Sequence, residues 1–181
     1  MENIIKIFVK IKHWQLFVVL CGLMFIPSFF IFDSPIPLLY EVLMVMFMFV
    51  FSCWLYAVST ECNKRTSVEL QKSPIYMLIG LTYFTIFTIV SSTLLFSVQV
   101  STLPQNISLI MPLIMIPFHL LAAACIFYSL GFTAKRLVIL QRGERVGFFD
   151  YGGLLFMFWF FPFGIWYIQP KVNSLLGNEN L

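Results

Sequence analysis

Charge is scarce along this chain. Only 10% of its 181 residues are charged, 60% are apolar, and mean hydropathy is +0.93. Soluble domains carry about 25% charged residues. Too few polar side chains remain to cover a water-facing surface, so a soluble globular domain is excluded and lipid is the expected solvent over most of the chain. Marks of catalysis are missing too. There is no GxSxG, HExxH or Walker A pattern, and no pair of carboxylates falls inside an apolar run. Cys21, Cys53, Cys62 and Cys125 form no CxxC pair and show no zinc spacing. They read as small apolar side chains. No enzyme activity, cofactor or metal is expected.

What is present is a set of long apolar runs. Crossing a hydrocarbon core about 30 Å thick takes about 20 apolar residues in a helix. Residues 14–32, 38–59, 75–98 and 107–134 meet that requirement. The first run is too long for a signal core and no A-x-A-like site follows it, so it reads as a retained span. Residues 1–13 are too polar to span. Ile4, Ile5, Ile7, Phe8 and Ile11 alternate with Lys6, Lys10 and Lys12, the pattern of a short amphipathic helix at the interface.

The cations sort themselves by loop. Lys6, Lys10 and Lys12 precede the first run; Lys64, Arg65 and Lys72 follow the second; Lys135, Arg136, Arg142 and Arg145 follow the fourth. The turns after the first and third runs have no cation. The positive-inside rule then puts the N-terminus, the second loop and the fourth loop in the cytoplasm.

The last apolar run, 153–168, is short for a crossing and is broken by Pro162 and Gly164. A re-entrant hairpin would return Lys171 to the cytoplasm, while a fifth kinked span would carry the tail across. The expected class is therefore an all-α membrane protein of four transmembrane helices plus a short C-terminal re-entrant or fifth transmembrane helix. It divides into an interfacial N-terminus (1–13), a four-helix bundle (14–134), a basic cytoplasmic segment (135–152) and a Pro/Gly-broken segment with tail (153–181).

A few polar residues within the runs are candidates for function. Glu41 is the one carboxylate inside a span. Ionisable groups there are functional candidates, although a carboxylate one turn past Pro37 also complements a helix N-terminus. Glu41, Met48, Ser52 and Ser59 share one helical stripe; Thr85, Thr88, Ser92 and Gln99 share another. Such stripes either line a wet path or pack helices and bond back to their own carbonyls. His119 follows Pro112 and Pro117, each of which frees a carbonyl one turn upstream. The imidazole can bond there or to a hydroxyl of the third run. The candidate polar lining is thus Glu41, Ser52, Thr85, Thr88, Ser92 and His119. Lys135, Arg136, Arg142 and Arg145 are the candidate contacts to anionic lipid headgroups or to a soluble partner. Direct nucleic-acid binding is not expected, since no aromatic interleaving or Gly-rich phosphate loop accompanies them.

The segment from Trp159 to Trp166, WFFPFGIW, followed by Gln169-Pro170-Lys171-Val172-Asn173, resembles the C-terminus of small uncharacterised bacterial membrane proteins. In those proteins an aromatic WFFP-G-W run precedes a Q-P-[KR]-x-N ending. The resemblance covers this closing segment alone, implies a bacterial cytoplasmic membrane, and transfers no catalytic residue. Multi-span proteins of this size also occur in bacterial antiphage systems, including accessory proteins of RNA-targeting CRISPR loci. Two functions follow as expectations: a homo-oligomeric channel or pore-like protein, or an accessory subunit whose basic loops hold a soluble cytoplasmic partner.

Overall fold

The computed structural model describes residues 2–30, 37–99 and 105–176. Among them every regular element is helical. The order is α1 (Glu2–Lys10), α2 (His13–Phe30), α3 (Pro37–Arg65), a 3-10 turn (Val68–Leu70), α4 (Ile75–Gln99), α5 (Gln105–Arg142), α6 (Phe148–Trp159) and α7 (Phe161–Leu176). The turns expected at 33–37 and 99–106, and the tail after Leu176, fall wholly or mostly outside the described residues.

Three helices are long and apolar enough to cross a membrane: Glu41–Arg65, Ile75–Leu94 and Leu113–Arg142. The described apolar stretch of α2, His13–Ile26, is shorter than a full crossing. Two boundaries move from their expected places. Apolar residues end near Ser59 and Ala134, yet α3 continues to Arg65 and α5 to Arg142. Backbone bonding carries both helices past the apolar edge, because each added residue gains a hydrogen bond at little further cost. With 38 residues, α5 is about 57 Å long at 1.5 Å per residue, so one end projects well beyond a hydrocarbon core. It stops at Gly143, whose φ of +73° suits glycine and whose N–H closes on the Ile139 carbonyl at 2.8 Å. The first half of the basic segment 135–152 is therefore helix rather than loop.

The helices gather around Trp54, Leu55, Met77, Leu130, Leu137, Phe158, Ile165 and Ile168, all essentially without exposure. At Gly80 α4 lies close against α5. A Cβ there would stand 3.4 Å from the Cys125 carbonyl and 3.5 Å from the Ser129 hydroxyl. A small residue at that position lets the two backbones close up.

The C-terminal segment is a helical hairpin, α6 then α7. It starts and ends at the basic end of the bundle. At its start, the Asp150 carboxylate accepts the Gly147 N–H at 2.8 Å and Arg142 Nη1 at 2.6 Å. The Gly147 amide, and then Arg142, hold Asp150 below the usual carboxylate range, so this cap is in place at neutral pH. At the far end, Leu176 lies beside Arg65 of α3. Between them the tip reaches Phe47 and Phe51 on α3, where Phe161 packs at 5.4 Å from each ring. That is about 21–27 Å along α3 from Arg65. Other aromatic rings of the hairpin reach α5, α3 and α2. Trp159 stacks on Phe127 of α5 at 4.3 Å, Phe158 meets Trp54 of α3 at 5.4 Å, and Trp166 meets His13 and Phe17 of α2.

The turn itself depends on Gly164. A Cβ there would fall 1.8 Å from the Met157 carbonyl oxygen, inside any permitted contact. Gly164→Ala is expected to cost more than about 3 kcal/mol, since backbone rather than a flexible side chain is in the way. Gly153→Ala has open space at its Cβ and is expected to be neutral or stabilising by up to about 1 kcal/mol. Denaturant titration of both variants in detergent checks the contrast. Equal stabilities would contradict this hairpin geometry.

Candidate functional site: an intramembrane cleft and the polar pins beneath it

A cleft of about 440 Å³ opens among α2, α3, α4, α5 and the hairpin tip. Phenylalanine is the commonest residue of its walls: Phe47, Phe51, Phe84, Phe87, Phe158 and Phe161. It opens on the side of His119, Ala123 and Trp159, all exposed. Its floor toward the basic end is closed by Leu130 and Phe158, which are buried. Thr88, Ser91 and His119 reach it, and Trp159 brings an indole ring to its mouth.

Each of the first three has already spent its donor. Thr88 Oγ1–H donates to the Phe84 carbonyl at 2.8 Å, and Ser91 Oγ–H to the Thr88 carbonyl at 3.1 Å. His119 Nδ1 lies 2.9 Å from the Met115 carbonyl. A carbonyl can only accept, so Nδ1 carries the proton, and in the neutral ring Nε2 is an acceptor. The ring also meets Phe87 edge-on at 4.7 Å. The corner made by Thr88, Ser91 and His119 therefore offers lone pairs, while the indole N–H of Trp159 stands at the mouth.

Of the six lining candidates, the fold brings two, Thr88 and His119, into this cleft and leaves four outside it. Ser52 faces Thr85 across α3 and α4 with 3.5 Å between the hydroxyls, and Thr85 also bonds the Leu81 carbonyl at 2.8 Å. Ser92 bonds the Ile89 carbonyl at 2.9 Å and yields its expected place to Ser91. Glu41 lies near the start of α3, half-buried. His119 takes the carbonyl one turn before itself, Met115, rather than one freed by a proline. The stripe is one residue out of register because the face of α4 turned to the cleft is set by Phe84 and Phe87, the bulkier groups.

The four candidate cations also part company. Lys135 lies 5.8 Å from the Tyr151 ring and Arg142 is paired with Asp150. Arg145 is exposed. Arg136 is not a surface group at all, with only 2% of it exposed. Its Nη1 donates to the Leu70 carbonyl at 2.6 Å and to Asn63 Oδ1 at 3.2 Å, and its guanidinium lies 5.2 Å from the Phe132 ring. Asn63 Oδ1 also accepts the Lys72 N–H at 3.0 Å. Arg136 thus pins the connection between α3 and α4 to the projecting end of α5. Sequence reasoning placed it on the membrane surface because the helical extension that buries it has no apolar signature.

A second pin was not foreseen as such. Gln169 and Asn173 lie four residues apart on α7, one helical turn, and both face the joint between α1 and α2. Gln169 Nε2 donates to the Phe8 and Ile11 carbonyls at 2.9 and 3.1 Å, and Asn173 Nδ2 to Ile11 at 3.2 Å. Those are carbonyls at the end of α1, which have no partner inside their own helix. Gln169 Oε1 accepts the Trp54 indole N–H at 2.9 Å. Both Trp54 and Gln169 are fully buried. The Q-P-K-V-N segment therefore works as a side-chain cap on α1.

Searches of protein-family models, curated proteins and solved structures gave no match to this chain.

Arg136→Ala is expected to lower stability by on the order of 3 kcal/mol, because it strands the Leu70 carbonyl and opens a buried site. Arg145→Ala is expected to change it by less than about 0.5 kcal/mol. Unfolding both variants side by side in detergent is the check; a silent Arg136→Ala would return that residue to the surface.

Proposed function

We propose that this chain is a non-enzymatic protein of the cytoplasmic membrane that holds a lipid-like molecule in its intramembrane cleft. In this reading α1, the α3–α4 connection and both ends of the hairpin face the cytoplasm, as the distribution of lysine and arginine requires. The hairpin enters the bilayer and returns, with its backbone covered by α2, α3 and α5. The supporting observation is the pairing of an apolar, blind cleft with one polar corner that offers acceptors alone. An acceptor-only corner suits a ligand that brings a hydrogen-bond donor, such as an alcohol, on an apolar chain.

The channel reading asks for a continuous polar lining. The hydroxyls of Thr85, Thr88 and Ser92 turn onto their own helix carbonyls, and the cleft ends on Phe158, so the arrangement favours ligand holding over conduction. The accessory reading is compatible with ligand holding: Arg145 and Phe149, the latter 97% exposed, stand at the basic end, where a soluble partner would be met.

The test compares a long-chain alcohol with its methyl ether, binding to purified protein being followed by native mass spectrometry. The alcohol is expected to bind about tenfold tighter, the worth of one hydrogen bond at about 1.4 kcal/mol. His119→Phe is expected to erase that preference, and Ala123→Phe, which fills the cleft, to abolish both. Equal binding of alcohol and ether by the native chain would count against the cleft reading. Ion flux through proteoliposomes that His119→Phe removes would favour the channel instead.

A further inference from the structure

The ends of α1, α3 and α7 meet at a second, smaller groove of about 180 Å³, far from the cleft. Its floor includes Val9 and Leu176, both buried and apolar. Its rim carries Lys6 and Lys10, one turn apart on α1, with Lys64 and Arg65 at the end of α3; all four are exposed. Among the described residues Glu61 is the one carboxylate in the lining, and Arg65 Nε pairs with it at 3.0 Å. That pair fixes the guanidinium, and Lys6 and Lys64 stand beside it on the rim. The convergence is built by the fold: Gln169 and Asn173 cap the end of α1 and so hold Lys6 and Lys10 against α3.

We infer that this groove binds the phosphate headgroup of an anionic phospholipid. Lys6 and Lys64, held over one apolar floor, repel one another until an anion sits between them, which selects the charge of the ligand. The place of the groove selects its source. It lies where the apolar run of α3 gives way to its basic last turn, beside an amphipathic helix whose Ile5 and Val9 are buried and whose lysines are not. A lipid covers the floor with its chains while the rim takes its phosphate; a free phosphate leaves the floor bare. Because Arg65 is engaged by Glu61, recognition falls on lysines, which act as point charges and do not fit one headgroup shape. The groove therefore sorts lipids by charge rather than by headgroup identity. This site does not depend on the reading of the cleft.

Native mass spectrometry of the full chain in detergent tests it, with phosphatidylglycerol, phosphatidylcholine and inorganic phosphate as probes. Phosphatidylglycerol is expected to be retained in preference to phosphatidylcholine. The Lys6→Gln/Lys64→Gln double variant is expected to bind it about 30-fold more weakly, from about a fivefold loss per cation near the surface. Both lysines are exposed, so the unfolding midpoint should hold, and each single variant should lose part of the effect. Arg145→Gln and Ala123→Phe are expected to bind phosphatidylglycerol as the native chain does. Undiminished binding by the double variant, or equal retention of phosphatidylcholine, overturns the site. Displacement of the lipid by inorganic phosphate at comparable affinity would assign the groove to a soluble phosphate ligand and overturn it equally.

Discussion

One buried amide holds this fold together. Gln169 joins three parts of the chain that are distant in sequence: the indole of Trp54 in α3, the end of α1 at Phe8 and Ile11, and Asn173 on its own helix. Its oxygen and nitrogen are both used, so neither end of this amide is left stranded. In an apolar surrounding a polar group without a partner costs far more than it does in water, and the satisfied network becomes correspondingly specific. The hairpin is thereby fixed in depth, α1 is fixed across the basic end, and the tip aromatics Phe158 and Phe161 are set as the floor and wall of the cleft.

Composition and run length made the class legible: a chain this poor in charge has to be helical in lipid, and the long runs of the second, third and fourth segments appear as α3, α4 and α5. The break at Pro162 and Gly164 marked the hairpin turn, because a carbonyl 1.8 Å from a would-be Cβ admits only glycine. The ends of α3 and α5 were not legible. Their last turns are polar, and backbone hydrogen bonding that ignores side-chain hydropathy carries them on. The burial of Arg136 follows from that extension and from the chain folding back over it after Arg65. Neither leaves a periodic trace in the sequence.

The candidate site was half legible. Thr88 and His119 were picked out as polar residues in apolar runs, and the fold places both at the cleft. Hydropathy could not say that Ser91 rather than Ser92 joins them, or that Ser52 and Thr85 meet each other instead. A stripe fixes which residues share a face, whereas bulk at Phe84 and Phe87 decides where that face points. The Gln-x-x-x-Asn spacing on α7 was visible as a motif, but its meaning as a cap needs the joint at Ile11, which lies more than 150 residues earlier in the chain. Together these features describe a bundle closed at its basic end by amides and a guanidinium, and open on one side at a cleft of modest polarity.

The most direct measurement is a double-mutant cycle between Trp54 and Gln169 in detergent-solubilised protein. Trp54→Phe and Gln169→Leu each leave a buried partner unsatisfied, so each alone should cost on the order of 2–3 kcal/mol. The pair removes both sides of the bond and should cost less than the sum by about 1 kcal/mol or more. Strictly additive losses would mean that indole and amide do not meet, and that the hairpin is held at its depth by something other than this contact.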